Sequence, residues 1–309
     1  MWRKGRTAIM TNVLLFIAVV VVWGLTWFAM HLQLGAAPVE VAIFWRFALS
    51  LVLLGGWLCL SGRLRRPAAE CVPWLIAMGM CLFSGNYLVL YRSAAYLASG
   101  MVSVIFSLAS VLNALNLWLF FRQRPDARII GGGLLGVMGV ALLLGGDHGG
   151  GLHAGSLPGV GLALAGTLFF SLGNMVTRRI GRFDLDLPNA VFYAMGVGTV
   201  IVGAVALAHG YSFAAPLTAA WLGGLAYLSV FGSVIGFLTY LSLVHRIGAD
   251  RAGYTTILSP VLALAVSCVF EGTQWTAVML IGLLLVMAGN VLAFVRRRPV
   301  PVPVEVEQA

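Results

Sequence analysis

The sequence predicts an all-α integral membrane protein of ten transmembrane helices, arranged as two inverted five-helix repeats. Three observations carry that reading. Of 309 residues, 61% are hydrophobic and only 9% are charged, and mean hydropathy is +0.98, whereas a soluble domain is nearer about 45–50% apolar and about 25% charged. The apolar residues fall in runs of about 20, the length a helix needs to cross roughly 30 Å of hydrocarbon. Basic residues occupy alternate connections between those runs, which is how cytoplasmic loops are marked. Together these exclude an ordinary globular enzyme, a secreted disulfide scaffold and a disordered chain.

The first run, 9–30, follows Arg3, Lys4 and Arg6. It is too long for a signal-peptide core and ends without a small-residue cleavage pattern, so it reads as a retained helix. The second is 39–60, and the third and fourth, 72–94 and 98–120, are joined by a short turn. The fifth, 127–145, contains Gly131-Gly132-Gly133; with no strand before it, this reads as a helix-packing surface. The Gly-rich stretch 146–156 follows as an outer linker. The sixth to tenth runs are 157–177, 187–208, 221–243, 250–270 and 275–295. Pro260, inside the ninth, removes a backbone hydrogen bond and should kink that helix. The tail 296–309 is Pro-rich and reads as extended and cytoplasmic. The domains expected are therefore a first repeat, 9–145, and a second, 157–295.

Charge tests the span count independently. Of 19 Lys and Arg, 17 lie before the first run, after the last, or in or within two residues of the second, fourth, sixth and eighth connections. The other two are Arg46, inside the second run, and Arg92, near the end of the third. Both termini are thereby expected in the cytoplasm, with the chain in the inner membrane. Five spans per half is an odd number, so related halves must face opposite ways, as in many secondary transporters. Faint internal matches agree: Leu108, Val111 and Leu112 with Leu258, Val261 and Leu262, and Gln123, Ile130, Gly131 and Leu134 with Gln274, Ile281, Gly282 and Leu285.

The net charge of +9 fits those loops; no basic patch with interleaved aromatics points to nucleic acid. Cys59, Cys71, Cys81 and Cys268 show no metal or disulfide spacing and read as small apolar residues. Asp147, His148 and His153 lack further ligands, so no metal site or cofactor is expected. Trp74, Trp221 and Trp275, near run ends, read as interfacial belt residues.

Several motifs share an order and spacing. Trp23-Gly24 lies in the first run and Phe44-Trp45-Arg46-Phe47 in the second. Asn86 to Ala94, NYLVLYRSA, leads into the fourth. His245-Arg246-Ile247-Gly248-Ala249-Asp250-Arg251-Ala252 precedes Leu258-Ser259-Pro260-Val261, then Phe270-Glu271-Gly272 and Gly282. On these residues, from about 10 to 296, the chain resembles the EamA-type ten-span transporters of the drug/metabolite transporter superfamily. It departs from them at Ala109-Ser110, where the family often has proline, and at Gln123, near a frequent glutamate. The resemblance implies a secondary transporter, most often exporting small metabolites or toxic compounds, with no catalytic residue.

Polar residues inside spans should face other helices or a cavity. Ser99, Ser103, Ser110 and Asn113 share a face of the fourth run, and Thr167, Ser171, Asn174 and Arg178 one of the sixth. Ser229, Ser233, Gly236 and Tyr240 align on the eighth, and Thr255 and Ser259 on the ninth. They read either as helix adhesion or as a shared substrate pocket. Trp23 and Trp27, and Tyr87 and Tyr91 after Asn86, form aromatic pairs one turn apart that either pack or line such a pocket. Arg46 must be paired, hydrated or snorkelling: the preferred reading is an ion pair with Glu271 or Glu40, the other a substrate carboxylate or phosphate. Arg92 reads as a snorkelling or loop residue. Any coupled proton would fall to Glu271, Glu40 or His31, all far from mid-membrane.

The function expected is a secondary active transporter, monomer or homodimer, moving a small solute by alternating access. A lipid-modifying membrane enzyme and a substrate-only facilitator or channel are the alternatives. Reporter fusions at residue 150 and at the carboxyl end are expected to report opposite compartments; a shared compartment would refute the even number of crossings.

Overall fold

The computed structural model describes residues 2–124, 127–145, 156–247, 254–272 and 276–294, without the side chains of 2–8, 144–145, 241, 244–245 and 294. The expected linker, the carboxyl tail, Trp275 and Arg251 lie outside the described residues. Every regular element among the described residues is helical. Lipid offers backbone amides no water, so a spanning segment must bond its own N–H and C=O groups, and a helix does so within itself.

In chain order the helical stretches are α1 (Trp2–His31), α2 (Val39–Leu60), α3 (Ala69–Ser93), α4 (Ser99–Phe121) and α5 (Ala127–Gly145). They continue with α6 (Leu157–Ile180), α7 (Leu187–Ala208), α8 (219–247), α9 (Tyr254–Phe270) and α10 (Ala277–Phe294). Seven of them, α1–α4 and α6–α8, are long and apolar enough to cross a membrane; α5, α9 and α10 contribute shorter apolar stretches. Where described, their ends lie within about four residues of the expected runs, except that α1 begins at Trp2, well before residue 9. Large apolar side chains such as Val52, Leu119, Leu134, Val200 and Val269 stand exposed, as suits a hydrocarbon solvent.

Helix ends are set by local chemistry. The Asp186 carboxylate accepts from the Asn189 amide ahead of Pro188 at the start of α7, and Thr218 accepts from the Trp221 amide at the start of α8. At the end of α7, Gly210 adopts φ +71°, and the Tyr211 amide turns back to the Ala206 carbonyl at 3.0 Å. Only a residue without Cβ takes that conformation freely.

Packing follows a regular exchange. α1 lies against α8 and α9, and α6 against α3 and α4. α2 packs on α7 and on α8, and α3 packs on α7. α5 and α10 form the most extensive pairing. Adding five to each label, or subtracting it, maps these principal contacts onto one another, whereas the smaller α1–α4, α2–α3 and α4–α10 contacts have no comparable counterpart among the described residues.

Two helices carry π-helical turns, Cys81–Gly85 in α3 and Tyr227–Ile235 in α8. In each, a serine hydroxyl donates to the carbonyl five residues back: Ser84 to Gly79 at 3.1 Å and Ser233 to Leu228 at 2.9 Å. Glycine follows in both: a Cβ on Gly85 would meet the Met80 carbonyl at 3.0 Å, and one on Gly236 the Phe231 carbonyl at 2.8 Å. Such bulges often mark functional positions in helices.

The connections separate into two ends. At one, Asn189 is fully buried and clamps the 61–68 connection: its Oδ1 accepts from the Arg65 amide and its Nδ2 donates to the Arg63 carbonyl, both at 2.9 Å. Arg178 donates to Gln123 at 3.2 Å at this same end, joining α6 to α4. The opposite end holds Glu40, Arg92 and Glu271, and there Trp45 Nε1 donates to the Phe213 carbonyl at 2.9 Å. Trp221 is fully buried, not at an interface: the start of α8 packs against α1, with Gly224 beside the Ala29 carbonyl and Gln33.

The α5–α10 seam depends on glycine. A Cβ on Gly132 would lie 2.3 Å from the Gly289 carbonyl oxygen, and one on Gly139 2.5 Å from that of Gly282. The packing surface read from Gly131-Gly132-Gly133 is thus present at Gly132. In lipid, apolar side chains gain nothing by meeting each other instead of solvent tails, so close backbone approach carries the association. Gly139→Ala should lower the unfolding free energy by about 1–3 kcal/mol through overpacking, whereas Gly161→Ala, which meets nothing within 4 Å, should leave it unchanged or raise it. Thermal unfolding of the detergent-solubilised protein checks both.

Candidate functional site

The largest polar cluster lies where α2, α3 and α8 converge, and Arg46 is its centre. The side chain is 1% exposed and sits seven residues into α2, about 10 Å along the helix axis. Arg46 Nε donates to Ser233 Oγ at 3.3 Å, Nη1 to Tyr91 Oη at 3.4 Å and Nη2 to Tyr87 Oη at 3.5 Å. The guanidinium carbon also lies 4.7 Å from the centroid of the Tyr87 ring, a cation–π contact. Tyr91, fully buried, donates in turn to Gln33 Oε1 at 3.2 Å. The π turn of α8 places Ser233 here, and α3, beyond its own π turn, supplies the tyrosines. Ser50 and Ser229 lock α2 to α8 reciprocally: Ser50 Oγ donates to the Ser229 carbonyl at 3.2 Å, and Ser229 Oγ to the Arg46 carbonyl at 3.1 Å.

The expected ion pair of Arg46 with Glu40 or Glu271 does not form. Glu40 is taken by Arg92, which is therefore an ion-paired residue linking α3 to α2. Glu271 accepts from both the amide and the hydroxyl of Ser99, and from Ser267 at 3.2 Å. Helix geometry decides this: both acids sit at helix ends, whereas Arg46 is two turns inside. Among the described residues Arg46 has no carboxylate partner. His31 is near the same end as the acids, with Nδ1 buried and unbonded.

The remaining candidates divide. Trp23 packs on Tyr240, ring centroids 4.9 Å apart, and Trp27 on Phe106 at 5.2 Å. Asn113 accepts from Asn174 at 3.2 Å, Ser171 from Asn116 at 2.8 Å, and Ser110 donates to Asn290 at 2.5 Å. These bonds hold α4 to α6 and α10. Asn86 donates to the Gly166 carbonyl at 3.3 Å. Ser103 and Ser259 donate within their own helices, to Gly100 at 2.6 Å and Thr255 at 2.8 Å. Beside Ser233 lies a narrow apolar crevice between Leu54, Pro188, Val191 and Phe237. Gln33, Ser50, Asn116 and Asn290 were not anticipated; Gln33 falls just past the first apolar run, where a polar residue draws no notice.

The EamA-like transporter family matches the chain twice, over residues 10–145 and 157–295. The chain belongs to that family. Among relatives, an "Uncharacterized transporter YvbV" of Bacillus subtilis is 27% identical over 292 residues, spanning 92% of this chain and 90% of its own. A "Probable terminal-alkyne amino-acid exporter" of Streptantibioticus cattleyicolor is 26% identical, with 74% and 75% covered. A "Probable amino-acid metabolite efflux pump" of Salmonella typhimurium is 23% identical, with 92% and 96% covered. A solved crystal structure shares the fold at TM-score 0.64 and 19% identity, over 92% of this chain and 96% of that one. This EamA-like chain is thus a multi-pass membrane protein of transporter type.

Glu271 serves as a side-chain cap for α4, tying it to the end of α9. Glu271→Ala should destabilise the protein by about 0.5–2 kcal/mol, the usual cost of losing a cap, and Glu271→Gln by less, since it keeps an acceptor. Chemical or thermal unfolding in detergent distinguishes the two.

Proposed function

We propose that this protein is a secondary active transporter of the inner membrane. All ten helical stretches cross the bilayer, and the halves 9–145 and 157–295 are inverted repeats that rock about a central site to move a small metabolite outward. The observation that carries the reading is the exchange symmetry of the helix contacts. An arrangement in which α1 meets α8 and α9 as α6 meets α3 and α4 has two equivalent ways to open, one toward each face. Alternating access needs that bistability. The π turns of α3 and α8, each closed by a serine five residues on, fall at exchange-related positions. The double family match, one per half, agrees.

The orientation is supported by charge. Among the described residues, Arg63, Arg65, Arg66, Arg122, Arg124, Arg178, Arg179 and Arg182 gather at one end, and Arg92 lies at the other. Positive residues mark the cytoplasmic side. At the opposite, outer end, the Glu40–Arg92 and Glu271–Ser99 contacts close α2 on α3 and α9 on α4. We assign these two acids the role of outer-gate latches, with His31 beside them. Outward export is favoured by the names of the Streptantibioticus and Salmonella relatives. The substrate-facing residues are Arg46, Tyr87, Tyr91 and Ser233; the asparagine and serine pairs of α4, α6 and α10 hold the bundle together.

Proteoliposomes loaded with a defined mixture of amino acids, organic acids, amines and sugars test this. Protein-dependent efflux of one class should saturate and accelerate when the same solute is present outside. Linear, non-saturating flux would indicate a channel, and conversion of lipid an enzyme.

A further inference from the structure

We propose that the solute is an organic carboxylate, bound through its carboxylate group to Arg46; the inference deepens the transporter reading and rests on it. Arg46 is a buried cation whose partners are all neutral: Ser233, Tyr91, Tyr87 and the Tyr87 ring. A charge withdrawn from water is costly unless an opposite charge or a full set of hydrogen bonds replaces hydration. Neither is complete here. The three hydrogen bonds, at 3.3–3.5 Å, are at the long end of the range. Each guanidinium nitrogen finds one oxygen, so the second hydrogen on Nη1 and on Nη2 has no acceptor among the described residues.

A second observation points the same way. Gln33 is 1% exposed, bonded to Tyr91 through Oε1, and its Nε2 has no partner. The hydroxyl hydrogen of Tyr87 likewise has no acceptor among the described residues. The surplus at the cluster is therefore of donors and of positive charge, and what is missing is an acceptor bearing negative charge. A carboxylate supplies both and fits the guanidinium fork with two parallel bonds. The acids that could neutralise Arg46 from within the chain, Glu40 and Glu271, are committed at the outer end to Arg92 and Ser99. Beside the fork the walls are aromatic, with Tyr87 stacked under Arg46 and Phe47 4.7 Å from the Tyr87 ring. Such walls suit an apolar body on the acid.

The decisive comparison uses wild-type protein in proteoliposomes loaded with matched pairs. Each pair is a carboxylate and its primary amide: hexanoate and hexanamide, phenylacetate and phenylacetamide, L-phenylalanine and L-phenylalaninamide. Simple amines are added, and efflux is followed by mass spectrometry. Carboxylates should leave at least about tenfold faster than their amides, the ratio expected when a charge-assisted bond is lost. Arg46→Lys should keep part of that preference and Arg46→Gln should abolish it, each first shown to be monodisperse and folded. If Arg46→Gln does not fold, Tyr87→Phe, likewise shown to be folded, should raise the half-saturating concentration for carboxylates several-fold; an unchanged value would overturn the inference. Equal efflux within pairs, preference for amides or amines, or carboxylate efflux indifferent to Arg46→Gln would overturn the inference and leave the transporter standing. Absence of protein-dependent efflux for every solute would overturn the transporter reading, and this inference with it.

Discussion

The hydrocarbon solvent supplies no hydrogen bonds, and most of this structure follows from that. Backbone groups close on themselves as helices. Side-chain hydroxyls turn back to carbonyls of their own helix, as Thr26, Thr167, Thr199 and Ser259 do. Where a π turn frees a carbonyl, a serine reaches back to it. The polar atoms still exposed to the bundle interior must then find partners across helices, and each such bond fixes the position of one helix on another.

Association between helices draws on a different resource. Because lipid tails solvate apolar side chains well, the contacts that hold are close ones. Gly132, Gly139, Gly282 and Gly289 bring two backbones together along α5 and α10, and Gly79 and Gly198 do the same between α3 and α7. The asparagine bonds among α4, α6 and α10 add direction. The result is a rigid outer frame around a centre, at α2, α3 and α8, whose polar atoms are incompletely satisfied.

The end that holds Glu40 and Glu271 is joined by few charges. One carboxylate joins α2 to α3, and another caps α4 from α9. Both acids are consumed locally, so the one arginine set deep in the bundle stays without a counter-charge from the chain.

Composition and spacing by themselves determined the solvent and most of the helix positions, because hydropathy is summed along the chain and needs no neighbour. They also marked Arg46, Tyr87, Tyr91 and Ser233 as polar residues in apolar surroundings. Which partner each one takes was decided only by the tertiary structure. Arg46 could reach Glu40 or Glu271 only if helix depth were ignored; Trp221 reads as an interface residue until α1 covers it; Gln33 and Asn189 look like loop and cap residues until they meet Tyr91 and the 61–68 connection. Pairing across helices depends on axial depth and rotation, and a one-dimensional pattern carries neither.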